Sequence, residues 1–172
     1  MLQQFASHTP IWVWLLLAFL IMRGVKAMRP GETTLGQLAI VPAVFIAWSL
    51  WSISARFPGA WAAWALWLGG IAAGTGLGWW LMRSATMHVD RATGALWRSA
   101  DYSLLPLLVL TFVLKYGFES AFAMSPSLAL DTTFRTAYLL LSGALTGIFV
   151  GRLLRYVAAS RRAAGTASVP AA

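Results

Sequence analysis

The sequence predicts an all-α integral membrane protein: five transmembrane helices, N-terminus outside and C-terminus inside, with a short β-hairpin between the third and fourth. Three observations predict it. The chain is 59% hydrophobic and only 10% charged, with mean hydropathy +0.72, too apolar for the surface of a soluble domain. Its apolar runs recur at close to the ~20 residues that cross about 30 Å of hydrocarbon. Ten of the thirteen Lys and Arg fall on alternate connections, the bias that marks cytoplasmic loops. A single transmembrane domain over 1–160 accounts for the length, and the small-residue tail, 161–172, is expected to be disordered.

The first span is read over 10–28. Ile11 to Met22 is uniformly apolar. It is no signal peptide, because Arg23, Lys26 and Arg29 follow the apolar run instead of preceding it. Pro30-Gly31 then breaks the helix. The second span, 35–54, carries Pro42 inside it, which should kink it, and Ser49 and Ser52, three apart, which can hydrogen-bond across helices. Arg56 to Gly59 reads as a short turn. The third span, 61–82, places Gly70, Gly74 and Gly78 at four-residue spacing, a small-xxx-small face for close helix contact. The string from Gly74 to Gly78 follows no strand, so a nucleotide loop is a poor reading of it.

The loop from Arg83 to Asp101 is the one long polar connection. Val89, Leu96 and Trp97 flank a polar turn from Asp90 to Gly94, which suggests two short strands; an interfacial amphipathic segment is the rival. The fourth span covers 102–124 and the fifth 134–156. The fifth repeats the glycine spacing with Gly143, Gly147 and Gly151, beside a small polar line of Ser142 and Thr146. Matching glycine faces predict that the third and fifth spans pack together. Homodimerisation through one face is the competing expectation. Tryptophans gather near span ends, Trp12, Trp14, Trp48, Trp51, Trp61, Trp64 and Trp67 at one level and Trp79 and Trp80 at the other, as interfacial belts do, with core packing the alternative for the deeper Trp67.

The fourth span holds the candidate polar centre: Thr111, Lys115 and Glu119, one turn apart on one face. Intramembrane charge marks a functional site by default. Six Leu, two Val and three Phe favour insertion by about 5 kcal/mol, and two central charges cost about the same. The span is therefore a marginal insert that depends on the charges finding partners. A bridge between Lys115 and Glu119 that sets helix register is the favoured expectation. A path for protons or solute is the second. In a third, Gly117 ends the helix early and Glu119 sits among headgroups.

No chemistry beyond this is legible. Cysteine is absent, so thiolate ligands are excluded. His8 and His88 are predicted on opposite sides and cannot share a metal. Metal-hydrolase, nucleophile-elbow and phosphate-loop motifs are missing. No catalytic residue, cofactor or metal is expected, and an enzyme is not. The net charge of +8 suits anionic lipid better than nucleic acid. The expected partners are the lipid bilayer and either a second copy or another membrane protein.

The stretches HTPIWVWLLL, RGVKAMRP, VDRATGALWR and LPLLVLTFVLKYGFE resemble a family of small multi-pass bacterial inner-membrane proteins of unknown function. The resemblance covers roughly His8 to Arg155. It implies a location in the bacterial inner membrane and a span count, and it implies no activity and no functional residue.

Overall fold

The computed structural model describes residues 11–83, 87–89, 96–98 and 100–166. Among the described residues five long helices carry the fold: α1 (Ile11–Ala27), α2 (Leu35–Arg56), α3 (Trp61–Leu81), α4 (Leu104–Met124) and α5 (Thr132–Thr166). Three short strands accompany them: β1 (Gly31–Thr33), β2 (Met87–Val89) and β3 (Leu96–Arg98). A 3-10 turn, Pro126–Ala129, joins α4 to α5.

Two expectations are corrected. Among the described residues three helices, and not five, are long and apolar enough to cross a membrane: Leu35–Arg56, Leu104–Met124 and Thr132–Arg161. The other two fall short for different reasons. For α1 the described run is 17 residues, about 26 Å at 1.5 Å per residue, against about 30 Å of hydrocarbon. Length is not the obstacle for α3, at 21 residues. Trp61, Trp64, Trp67, Trp79 and Trp80, with Gly69, Gly70, Gly74, Gly76 and Gly78, add little hydropathy, since indole is amphipathic and glycine has no side chain.

The expected two-stranded hairpin is also corrected. The strands form a three-stranded antiparallel sheet in the order β1-β3-β2. The central strand β3 pairs Gly31 with Arg98 on one side and Met87 with Arg98 on the other. The segment after α1 thus closes one edge of the sheet. The turn proposed for Asp90 to Gly94 lies outside the described residues, as do Met1 to Pro10 and 167–172. The last helix runs to Thr166, beyond the expected end at Tyr156. The sequence there is rich in Ala and Arg and free of Pro, so the helix continues.

Local signals set the helix ends. The Thr34 hydroxyl accepts from Gln37 N–H at 3.3 Å and caps α2. Gly59, with φ of +72°, makes the tight turn into α3, a conformation that costs glycine little. The Asp131 carboxylate accepts from Phe134 N–H at 2.7 Å at the start of α5.

The helix α5 packs on α3, α2 and α4. Against α3 the contact is backbone to backbone. A Cβ built on Gly70 or Gly143 would meet the facing helix, Gly143 reaching the Gly70 Cα at 3.1 Å. Gly74 lies on Ala144, Gly78 on Ile148, Gly147 on Ile71 and Gly151 on Thr75. The pairing runs in the same numerical direction on both helices, so they are parallel. All six glycines of the two faces serve this one interface. At the other flank, Gly24 of α1 sits against Leu105 of α4.

Among the described residues two larger apolar clusters fill the interior, and a small third one joins Met82 and Tyr156. One joins Val13, Leu20, Val41, Phe45, Leu108 and Phe149; the other joins Ile53, Trp67, Phe122, Tyr138 and Leu139. Rings meet between helices, Phe45 stacked on Phe149 at 5.3 Å and Phe122 edge-on to Tyr138 at 5.1 Å. Many large apolar side chains face outward instead, among them Trp51, Leu68, Leu110 and Val113. Apolar exposure on this scale suits lipid or a partner better than water.

Candidate functional site

The interior of α4 holds the polar groups. Lys115 is 4% exposed. Its Nζ donates to Ser49 Oγ of α2 at 2.6 Å and to Ser142 Oγ of α5 at 2.7 Å. The indole of Trp48 lies 5.9 Å from it, a favourable place for a cation in a dry site. The Ser49 hydroxyl donates to the Phe45 carbonyl at 2.8 Å, leaving its lone pairs for the ammonium. The two serine hydroxyls are 3.5 Å apart, so the amine is clamped between helices.

Glu119 belongs to a separate cluster one turn on. Its carboxylate pairs with the Arg56 guanidinium and accepts from Ser52 Oγ. It also accepts from the Tyr138 hydroxyl at 3.3 Å, and Ser52 and Tyr138 are joined at 2.9 Å. Arg56 lies 4.8 Å from the Phe122 ring centroid. The expected Lys115–Glu119 bridge is therefore corrected. Among the described residues no carboxylate lies within 4.0 Å of Lys115 Nζ. Facing helices supply two hydroxyls to one charge and a guanidinium to the other, which satisfies both better than a strained bridge along one helix.

Thr111, the third candidate, is fully buried but turns back to the Leu107 carbonyl at 2.8 Å. Thr146 does the same to the Ser142 carbonyl. Neither joins the Lys115 clamp. Below them Phe45, Leu108 and Phe149 form an apolar layer.

A second ion pair, more enclosed than the first, closes the opposite end of the bundle. Arg152 of α5, 5% exposed, pairs with Asp101 and donates to Ser103 Oγ at 3.1 Å. Asp101 Oδ1 accepts from Ser103 N–H and Oγ at 3.1 and 2.8 Å, and its own N–H donates to the Ala27 carbonyl at 2.9 Å. This one residue ties the end of α1 and the start of α4 to α5. Burial raises the Asp101 pKa, but Arg152 and the Ser103 hydrogen bonds outweigh it and hold the carboxyl below its ordinary value. A depressed folded pKa means stability present above the unfolded value and lost as pH falls through the folded one. The midpoint of thermal unfolding in detergent should thus fall below about pH 4, and Asp101→Asn should flatten that part of the profile while lowering stability at pH 7. A variant with an unchanged acid limb would remove Asp101 as its cause.

Sequence reasoning noted Ser49, Ser52, Ser142 and Thr146 but missed Arg56, Tyr138 and the Asp101–Arg152 pair. Arg56 reads as a loop charge because it is the last residue of α2. The usable signal was scarcity: with five carboxylates in 172 residues, each one inside or beside a span needs a cation. Among the described residues no three of His, Asp, Glu or Cys converge on a point where a metal could sit.

No curated protein and no solved structure matches the chain. One family model does, the family of unknown function DUF6622, over residues 1–166. That match takes in every helix and both ion pairs among the described residues, and the chain belongs to this family.

Proposed function

We propose that the chain is an accessory protein of the bacterial inner membrane, multi-pass and without enzymatic activity, that acts by docking on a partner. One observation carries the reading: the polar side chains join the three helices that, among the described residues, are long and apolar enough to cross a membrane. Ser49, Ser52 and Arg56 come from α2, Lys115 and Glu119 from α4, Tyr138 and Ser142 from α5. They bind each other across helices, which favours a register lock. Such locks are a recognised use of buried polar groups. The glycine faces are occupied within the chain, so the docking surface is the outward apolar one, with Trp51 and Trp61 at 65% and 80% exposure. Crosslinking in native membranes followed by mild extraction should recover a homo-oligomer or a defined partner. A clean monomer with nothing attached would count against docking.

A second reading has its own support. Lys115 is held by hydroxyls, an arrangement open to proton exchange. In that case Lys115→Met with Glu119→Gln abolishes proton flux in dye-loaded proteoliposomes; on the docking reading the wild type shows no flux to lose. Lys115→Met by itself should change stability by less than about 1 kcal/mol, because an apolar chain of similar length removes a buried charge and leaves two serines that can bond to each other. Unfolding in detergent measures this, and a loss above about 3 kcal/mol would show that the amine is a structural mainstay.

A further inference from the structure

A cavity of about 340 Å³ opens at the end of the bundle closed by Asp101, between the end of α1 and the start of α2. It is roughly the size of a small-ligand site. Its wall carries four cations, Arg23, Lys26, Arg29 and Arg152, against one carboxylate, Asp101. That carboxylate is already committed to Arg152. Arg23 is anchored by its hydrogen bond to the Gln37 carbonyl, and Arg152 is buried. Lys26 and Arg29 are exposed at the rim. The deeper lining is apolar, with Val41, Pro42 and Phe149 all buried.

Two demands meet here. Three cations beyond the ion pair call for an anion with several acceptor oxygens, which phosphate offers. The apolar floor calls for hydrocarbon beside that anion. The site is continuous with helices apolar enough to stand in lipid, where anionic headgroups are at hand. We propose that this cavity binds the phosphate of an anionic glycerophospholipid, with Arg23, Lys26 and Arg29 on the phosphate and the start of its acyl region against Val41, Pro42 and Phe149. A soluble phosphate ester shares the anion but has no use for the floor. The site is separate from the Lys115 clamp, behind the layer of Phe45, Leu108 and Phe149, and does not depend on any partner or flux.

The test uses the full-length chain in detergent, read by native mass spectrometry. Phosphatidylglycerol and phosphatidylcholine of identical chains are titrated separately, and inorganic phosphate is added as competitor. The expected result is one retained phosphatidylglycerol, at least about tenfold preferred over phosphatidylcholine. The Lys26→Gln/Arg29→Gln variant should lose that preference by about tenfold. Both changed residues are exposed, so its unfolding midpoint without lipid should stay within about 2 °C of wild type, which separates lost binding from lost folding. Millimolar inorganic phosphate should weaken retention only partly. Equal retention of the two lipids overturns the proposal. So does unchanged retention by the variant, which would place the lipid elsewhere. Full displacement by phosphate, with no lipid preference left, would assign the site to a soluble phosphate ester and overturn the lipid assignment.

Discussion

Gly74→Leu should separate α3 from α5 and lower stability by about 3 kcal/mol, the upper end of what overpacking costs. The reason is what a side chain would meet. A Cβ on Gly74 overlaps the Ala144 carbonyl and comes within 2.8 Å of the Ala144 Cα. A flexible side chain could swing away; a helix backbone cannot, so the whole of α5 must move outward. That movement is opposed at Gly70, Gly78, Gly143, Gly147 and Gly151, which rest on the facing backbone too. In a chain of this length the midpoint should fall by on the order of 10 °C. Gly76 is the internal control. It lies in the same helix with nothing within 4 Å of a built Cβ. Gly76→Ala should be neutral or stabilising by up to about 1 kcal/mol, the helix preference of alanine over glycine. If both variants unfold at the wild-type temperature, the close approach of the two helices does not hold the fold together.

Glu119→Leu is expected to cost about 2 to 3 kcal/mol. Removing one member of a fully buried ion pair typically costs 3 to 5. The estimate is lower here because the Arg56 side chain keeps 26% exposure and the Glu119 side chain 17%, which lets water attend to the orphaned guanidinium. Ser52 and Tyr138 lose an acceptor but keep each other at 2.9 Å. Arg56→Met should be similarly harmful, since it strands the carboxylate. The double variant should recover much of the loss, because neither charge is then left alone. Chemical unfolding of the four proteins in one detergent closes the cycle. Additive losses would mean that the two charges do not act on each other.

The helices were legible because each is an apolar run bounded by proline, glycine or charge. Gly70, Gly74 and Gly78 also announced a close contact, and Gly143, Gly147 and Gly151 offered a surface to receive it. What could not be read was the pairing of charges. The reach of Lys115 to Ser49 and Ser142 depends on how α2 and α5 are rotated, and no spacing within α4 encodes that. Arg56 was hidden by its position at a helix end. The strand Gly31–Thr33 was invisible for a related reason. Three residues with a glycine and a charge carry no strand signal, and the partner strand is far off in the chain. The number of spans was overcounted because a run of Trp and Gly in α3 looks uncharged and long, yet draws less from hydrocarbon than a run of Leu would.

The parallel pairing of α3 with α5 has a consequence for biosynthesis. The ribosome releases α3 well before α5, with β2, β3 and the whole of α4 in between. Until the final helix emerges, the groove made by Gly70, Gly74 and Gly78 has nothing of its own chain to receive. A nascent chain stalled or truncated before Thr132 would present that bare groove to its surroundings, a ready mark by which a membrane protease or insertion chaperone could distinguish an unfinished copy from a finished one.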